Sequence, residues 1–253
     1  MAPRAQHQIA LCYYKGNRWE NAITWFLKIQ NQSPQSAIGK RAMLNIAEIY
    51  YEQRQYNQAV DLLEKFLKEH KHESAANQDP PANEAKIMLG LCYLQFGNTA
   101  WAAEIAGGIS SNVPQYSAAD ALAKAAEHFD EIPRKSPVLA GGLSAVLPGA
   151  GQIYAQRPVD AAVAFILNGL LIFATYEAFD NDINVLGGML AVVELSFWGG
   201  NVYNAVNNAH KYNRREKDNF FNKLHLKSGF FTAPSQNAGT TKPAPALFLQ
   251  YNF

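Results

Sequence analysis

The sequence predicts an all-α fold in two parts: a helical-repeat solenoid, followed by a two- to three-helix transmembrane module. One observation is a pattern of small and aromatic residues that recurs three times in the first half of the 253-residue chain. The other is charge. Residues 136–206 carry six charged side chains, one basic and five acidic, whereas residues 1–133 carry 12 basic and 14 acidic ones. A stretch so poor in charge is either deeply buried or faces lipid.

The recurring pattern begins with an apolar residue followed by a small one. An aromatic residue lies three positions after the small residue, a second small residue twelve positions after it, and an apolar residue four positions further on. The three copies contain Ala10, Tyr13 and Ala22; Ala47, Tyr50 and Ala59; and Gly90, Tyr93 and Ala102.

This spacing, over roughly residues 3–130, resembles the tetratricopeptide repeat. The resemblance implies antiparallel helix pairs in which the small residues lie at close helix contacts and the tyrosines fill the space between repeats. The first two copies are 37 residues apart instead of about 34, which places a small insertion near Ser33–Lys40. The longer second step predicts a loop at His70–Pro81, and Ser117–Phe129 is predicted to be a capping helix.

The resemblance also implies protein–protein recognition, in which a groove along the stacked helices binds a peptide or a helix of a partner. The alternative is that the repeats only form a spacer. The net charge of +1 gives no electrostatic reason to expect nucleic acid. Two histidines and a glutamate in the predicted loop raise the possibility of a metal site, which the polar, flexible character of the run disfavours.

Catalytic, metal-binding and cofactor-binding motifs are not indicated elsewhere in the chain. We find no nucleophile–base pair, metal-ligand set or cofactor fingerprint, so the sequence predicts a non-enzyme without metal or cofactor. The two cysteines, Cys12 and Cys92, occupy similar places in two repeats and are predicted to be small apolar core residues.

Three apolar stretches occupy the second half: Pro137–Tyr154, Ala161–Tyr176 and Ile183–Tyr203. A helix needs about 20 residues to cross the hydrocarbon core, so the last two are predicted to span the bilayer. The first is rich in glycine and interrupted by Pro148, and both a crossing and a re-entrant path remain open for it. A buried hairpin of a soluble protein is the rival interpretation, but apolar side chains on every helix face favour lipid.

A short motif forms the C-terminal end of the first apolar stretch. It resembles the Pro-Gly-x-Gly-Gln-x-Tyr signature of small bacterial membrane hairpin domains, which precedes two membrane helices. The sequence departs from the family at Gln156, where glycine is usual. A phosphate-binding loop is excluded because no Gly-Lys-Ser/Thr follows and no strand flanks the motif. The motif residues are Pro148, Gly149, Gly151, Gln152 and Tyr154.

Polar residues interrupt the apolar stretches, and such residues are functional candidates by default. Asn168 and Glu194 lie in the middle of the second and third stretches. They are expected either to hydrogen-bond across the helix pair as structural glue or, for Glu194, to line a water-filled path. Three asparagines that share one helix face are expected to extend this polar edge: Asn201, Asn204 and Asn208.

The flanking charges predict an orientation. The connection between the last two stretches is acidic, and the basic segment His210–Lys217 follows the third; basic flanks stay in the cytoplasm. We therefore expect a bacterial inner-membrane protein with cytosolic repeats. Periplasmic repeats are the alternative if an upstream signal is missing from this chain.

The predicted organisation is a repeat domain at 1–133, a membrane module at 134–212 and a tail at 213–253. Within the tail we expect an amphipathic helix at Asn219–Leu226, a linker at Ala233–Pro245 and a docked strand at Leu247–Phe253. The expected function is a membrane-anchored scaffold of the cell envelope that binds a protein partner. The alternative is a membrane-assembly or transport accessory subunit in which the membrane module is the active part.

Overall fold

The computed structural model describes residues 2–70, 79–227 and 248–250. The chain divides into two compact units: residues 1–131 together with 222–253, and residues 132–221. Helices dominate both units, in agreement with the predicted fold class.

The first unit is a stack of helices joined by short turns. Each helix packs against the next, and each odd-numbered helix also contacts the following odd-numbered one, which is the arrangement of a helical solenoid. In the described part of this unit the helices are α1 (Pro3–Lys15), α2 (Trp19–Gln32), α3 (Ala37–Glu52), α4 (Tyr56–Glu69), α5 (Pro80–Gln95), α6 (Thr99–Gly107) and α7 (Tyr116–Glu127).

The turns within the three helix pairs repeat in detail. Asn17, Arg54 and Gly97 lie at equivalent positions, seven residues after the first small residue of each copy, and have φ angles of 55°, 60° and 80°. In each turn the amide N–H of this residue donates to the carbonyl three residues earlier. This left-handed conformation favours glycine, so Gly97 suits its turn best and Arg54 suits it least.

Large apolar side chains fill the interior of the first unit. A short 3-10 helix, Phe129–Glu131, follows α7, and its Phe129 is also buried. The largest fully buried side chains of the repeats are Phe26, Ile29, Leu44, Ile49, Leu63, Phe66, Ile87, Leu91, Leu94 and Leu122.

The tail differs from the expectation at one point. The predicted amphipathic helix Asn219–Leu226 is not a separate element, because a long helix continues to Lys223 and residues 225–227 are extended. Strand β1 (His225–Lys227) pairs antiparallel with β2 (Phe248–Gln250), with Leu226 opposite Leu249, and β2 contacts α7. The predicted linker and the last three residues lie outside the described residues.

The second unit has two short and two long helices: α8 (Pro137–Val146), α9 (Ala150–Tyr154), α10 (Pro158–Asp180) and α11 (Asn184–Lys223). By length and composition α10 and α11 are able to cross a membrane. The first apolar stretch is broken, because α8 has only 10 residues and rises about 15 Å, half of the hydrocarbon thickness. Helix α11 extends well beyond the predicted end at Tyr203.

The second unit places small and polar side chains inside and large apolar ones outside. Ala140, Ala205 and Ala209 form its buried cluster. Only 11% of the most apolar window of α10 or of α11 is buried. Large side chains more than half exposed on these two helices include Val163, Phe165, Ile166, Leu170, Ile172, Phe173, Met189, Val192, Leu195 and Tyr203.

Candidate functional site

The small residues of the repeat pattern lie where helices meet. Ala10, Ala22, Ala47, Ala59 and Ala102 are all completely buried. Gly90 is in van der Waals contact with α7, since a Cβ atom there would overlap Leu122 Cδ2. The three tyrosines of the pattern, Tyr13, Tyr50 and Tyr93, are half-buried.

Buried polar side chains connect successive odd-numbered helices, and the repeat pattern in the sequence did not predict these connections. His7 Nε2 on α1 lies 3.1 Å from Asn45 Nδ2 on α3. Arg41 on α3 donates through both terminal nitrogens to the carboxylate of Glu84 on α5, at 2.5 and 3.2 Å. One feature of the sequence points to these links: polar residues recur on the first helix of each consecutive pair, α1, α3 and α5.

Burial shifts the titration of two groups in this part of the stack. Desolvation, aided by the nearby positive charge of Arg41, lowers the pKa of His7 to about 4. The imidazole is therefore neutral at physiological pH. Desolvation, followed by repulsion from Glu52, raises the pKa of Glu48 well above its ordinary value.

The middle of the stack leaves little surface on its odd-numbered helices. In α3, every residue from Ala42 to Ile49 is buried. This stretch therefore offers no open groove wall. The exposed large apolar side chains of the repeats lie elsewhere, at Leu27, Phe96, Trp101 and Tyr116.

The two cysteines differ from each other. Cys92 is buried as predicted, and desolvation raises the pKa of its thiol to about 12. Cys12 is exposed, so its prediction as a core residue is wrong. It lies on the outer side of α1, where a small side chain is not needed for packing.

The predicted loop at His70–Pro81 is described only at its ends. His70 is buried and stacks on Phe66, with ring centroids 4.4 Å apart. Residues 71–78 lie outside the described residues. Within the described residues, no group of three or more His, Cys, Asp or Glu side chains is arranged to hold a metal ion.

The glycines of the motif in the second unit allow α8, α9 and α10 to approach closely. Gly149 has a φ angle of 94°, and a Cβ there would lie 2.6 Å from the carbonyl oxygen of Ala161. A Cβ at Gly151 would overlap the carbonyl oxygen of Ala140. Gln156, the position at which the sequence departs from the resembled signature, has a φ angle of 59°, a left-handed conformation that favours glycine.

Gln152 is the centre of a buried hydrogen-bond network. Its Oε1 accepts from Ser144 Oγ at 2.6 Å, and Ser144 Oγ in turn accepts from the amide of Gly151 at 3.0 Å. Its Nε2 donates to Asn201 Oδ1 at 2.5 Å and to the Asn201 carbonyl at 3.1 Å. One glutamine therefore joins α8, α9 and α11.

Gln152 Nε2 also donates to Asn204 Oδ1 at 3.4 Å, and through Asn204 the network extends to the start of α10. Asn208 Nδ2 donates to Asn204 Oδ1 at 2.9 Å and to Asp160 Oδ2 at 3.0 Å. Arg157 Nε donates to the same Asp160 oxygen at 3.1 Å. The three asparagines of the predicted polar edge thus lie in one network with Gln152.

Tyr154, at the C-terminal end of the motif, contacts the first residues of the second unit. Tyr154 Oη accepts from the amide of Ser136 at 3.0 Å. Lys135 lies with its Nζ 4.7 Å from the centre of the Tyr154 ring. The backbone of Lys135 exchanges two hydrogen bonds with the Asn213 side chain, at 2.7 and 2.8 Å. Lys135 is therefore held beside the basic end of α11.

Asn168 and Glu194, the two intramembrane polar candidates, do not bond to each other. Asn168 Nδ2 donates to the carbonyl of Ala164 on its own helix at 2.6 Å. Asn168 Oδ1 and Glu194 Oε2 are buried atoms without a hydrogen-bond partner among the described residues.

A cavity of about 490 Å³ lies between α10 and α11, within the second unit. Its lining combines polar and apolar side chains. The lining residues are Gln152, Asp160, Val163, Ala164, Leu167, Asn168, Ser196, Phe197, Gly200, Asn201 and Asn204.

Comparisons with known proteins bear on the first unit. The family model described as tetratricopeptide repeat matches residues 4–36 and 41–72, which correspond to α1–α2 and α3–α4. The chain therefore contains tetratricopeptide repeats, which imply protein–protein interaction and are generally non-catalytic scaffolds. The third helix pair, α5–α6, lies beyond the matched residues.

One similar solved structure is a crystal structure of kinesin light chain nearly identical TPR-like repeats from Podospora anserina. It has 13% sequence identity and a TM-score of 0.41, and the match covers 78% of this chain and 96% of that one. No curated protein matches the chain.

Proposed function

We propose that this protein is a membrane-anchored adaptor of the bacterial cell envelope, whose repeats bind a protein partner and whose helices α10 and α11 cross the inner membrane. The observation that carries the proposal is the exposure of apolar side chains on two long helices. A core helix of a soluble protein is equally apolar but mostly buried, whereas only 11% of the apolar window of α10 or α11 is buried.

The energetic argument follows from that exposure. Leaving a Leu, Ile or Phe side chain in water instead of burying it costs about 1.5–3 kcal/mol. Phe165, Leu170 and Phe173 on α10 are each more than half exposed. A bilayer around the helices removes this cost, and the 23 residues of α10 rise about 35 Å, enough to cross it.

Two features support cytosolic repeats. Helix α8 is too short to cross, and α9 folds back against it, so the first stretch favours a re-entrant path. The hydrogen bonds between Lys135 and Asn213 hold the first residues of the second unit beside the basic C-terminal part of α11. Lys135 and the basic segment His210–Lys217 then lie on one side of the membrane, which the positive-inside rule assigns to the cytosol.

Partner binding is proposed for the exposed aromatic side chains of the repeats. Because Ala42–Ile49 of α3 is buried, Phe96 and Trp101 are better placed to meet a partner. Aromatic side chains dominate the binding energy of many protein interfaces. A second candidate function, an accessory subunit whose membrane module is the active part, is favoured by the unpartnered polar atoms of Asn168 and Glu194.

A matched pair of leucine substitutions tests the membrane proposal. Leu170 on α10 is 60% exposed and Leu27 on α2 is 44% exposed. In water, Leu→Lys at either exposed position is harmless. In a bilayer, Leu170→Lys places a charge near the middle of α10 and costs about 2.5–3.5 kcal/mol of insertion free energy.

We therefore expect Leu170→Lys to lower the amount of protein recovered in washed membranes severalfold, and Leu27→Lys to leave it unchanged. Equal recovery of both variants at the wild-type level would contradict the proposal.

The exposed Cys12 is a built-in reporter for the side of the membrane. A membrane-impermeant thiol reagent should not label it in cells whose outer membrane alone is permeabilised, and should label it after lysis. Cys12→Ser is the control, because the remaining Cys92 thiol is buried. Labelling before lysis would place the repeats in the periplasm.

A further inference from the structure

Two residues that line the cavity between α10 and α11 carry buried polar atoms without a hydrogen-bond partner among the described residues. Asn168 is 2% exposed and Asn201 is 7% exposed, and both line the cavity. Asn168 Oδ1, an acceptor, and Asn201 Nδ2, a donor, are buried without a partner among the described residues. Buried polar atoms are normally hydrogen-bonded, so this pair calls for a ligand that supplies both a donor and an acceptor.

The cavity has the size and lining of a small-molecule site. Its volume of about 490 Å³ falls within the range of about 300–1,000 Å³ for ligand pockets, which combine apolar walls with a few convergent polar groups. The lining extends from Asp160 to Asn168 along α10, about 12 Å. Leu167 and Phe197 contribute apolar wall and remain 41% and 49% exposed, so the cavity continues onto the apolar outer surface of the helices.

Charge restricts the ligand further. Asp160 is the one charged residue among the described lining residues, and its Oδ2 already accepts from Arg157 and Asn208. A phosphate or carboxylate would meet a carboxylate without a lining cation to offset the repulsion. A cationic group would find that charge already paired with Arg157. The lining therefore favours an uncharged head.

From these observations we propose that the cavity binds a neutral, hydroxyl-bearing lipid. Its hydroxyls bond Asn168 Oδ1 and Asn201 Nδ2, and its chain extends over Leu167 and Phe197. A hydroxyl group donates and accepts at once, which matches the unsatisfied pair. The binding is non-covalent, and it assigns the second unit a ligand in addition to the anchoring proposed above.

Three amphiphiles with the same oleoyl chain test the head-group requirement. Mono-oleoylglycerol carries two hydroxyls, methyl oleate carries none, and oleoyl lysophosphatidic acid adds a phosphate. Purified full-length protein in detergent is exposed to each, and native mass spectrometry measures the lipid retained. We expect one mono-oleoylglycerol per chain, retained about tenfold more than either of the others, because each loses the hydrogen bonds or adds repulsion.

Neighbouring glycines supply matched variants that remove no hydrogen bond. Gly200 lines the cavity and Gly199 does not, and an added Cβ at either position meets nothing within 4 Å. Gly200→Leu should fill the cavity and abolish retention of mono-oleoylglycerol, whereas Gly199→Leu should retain it as the wild type does. Both should elute normally in gel filtration, since the added Cβ meets no neighbouring atom at either position.

A substitution of Asn168 tests the head-group hydrogen bonds independently of the glycine variants. Asn168→Leu should remove the preference for mono-oleoylglycerol over methyl oleate, and Thr175→Val, on the same helix but outside the cavity, should keep it. Thr175 Oγ1 bonds only the Leu171 carbonyl of its own helix among the described residues. Equal retention of the three amphiphiles, preference for the phosphate, or retention unaffected by Gly200→Leu would each overturn the proposal. Loss in both glycine variants would overturn it as well.

Discussion

The two units bury opposite kinds of side chain: large apolar ones in the repeats, and small and polar ones in the second unit. In the repeats, Phe26 and Phe66 are fully buried, and small residues allow the helices to approach. In the second unit, Phe165 and Phe173 are on the outside, while Gln152 and Asn201 are inside. The hydrophobic effect drives apolar side chains inward only where water surrounds the protein. If the second unit lies in a bilayer as proposed, the inversion teaches that the surroundings, rather than helix content, distinguish the two units.

Close approach in the second unit relies on glycine, and breaking it should give the largest effect. Gly151→Ala places a methyl group against the carbonyl oxygen of Ala140, where backbone cannot move aside easily. We expect a loss of about 3 kcal/mol, at the upper end for overpacking. Thermal unfolding of the purified protein in detergent measures it.

Gly142→Ala is the matched control, because an added Cβ there meets nothing within 4 Å. If Gly151→Ala unfolded at the same temperature as this control, the contact between α8 and α9 described above would be wrong.

The repeats use alanine for the same purpose, and their expected effect is somewhat smaller. Ala102 is completely buried on α6, whereas the next residue, Ala103, is exposed. Ala102→Leu should lower stability by about 1–3 kcal/mol through overpacking, and Ala103→Leu should change it little. Chemical denaturation followed by circular dichroism compares the two, and equal midpoints would contradict the repeat register.

The effect expected to be smallest near neutral pH is a pH dependence carried by His7. Its pKa falls from an ordinary 6.5 to about 4 in the folded chain, so between these values the unfolded chain binds a proton that the folded chain does not. Stability is therefore complete above pH 6.5 and decreases as the pH falls toward 4.

His7→Leu removes this contribution while leaving Glu48, whose raised pKa acts in the opposite direction, present in both proteins. The difference in unfolding midpoint between wild type and variant should change across pH 6.5–4 and stay constant above it. A difference independent of pH throughout would argue against a buried, neutral His7.

Much of this architecture could be predicted from the sequence, because local patterns encode it. The recurrence of Ala10, Ala47 and Gly90 predicted the helix pairs of the repeats. The apolar stretches predicted the two long helices α10 and α11. The links between Arg41 and Glu84 and between Gln152 and Asn201 could not be predicted, since they join residues 43 and 49 positions apart. A local pattern does not specify which polar residues meet across helices.

Two further differences have local causes. Cys12 matches Cys92 in its place in the repeat but is exposed, because α1 packs mainly against α2 and α3, whereas α5 packs against helices on both sides, α3 and α4 before it and α6 and α7 after it. The structure does not show the expected bond between Asn168 and Glu194, and Asn168 donates instead to the Ala164 carbonyl of its own helix. An asparagine in an apolar helix has this local option, and spacing alone does not reveal which one it takes.

The central claim is that the inverted second unit lies in a bilayer, and flotation of carbonate-washed membranes tests it most directly. Alkaline carbonate removes peripheral proteins, and a density gradient then separates membranes from aggregates. We expect the full-length chain to float with the membranes after the wash. Its recovery in the soluble fraction, fully folded by circular dichroism, would contradict the claim and show that water tolerates the exposed apolar faces of α10 and α11.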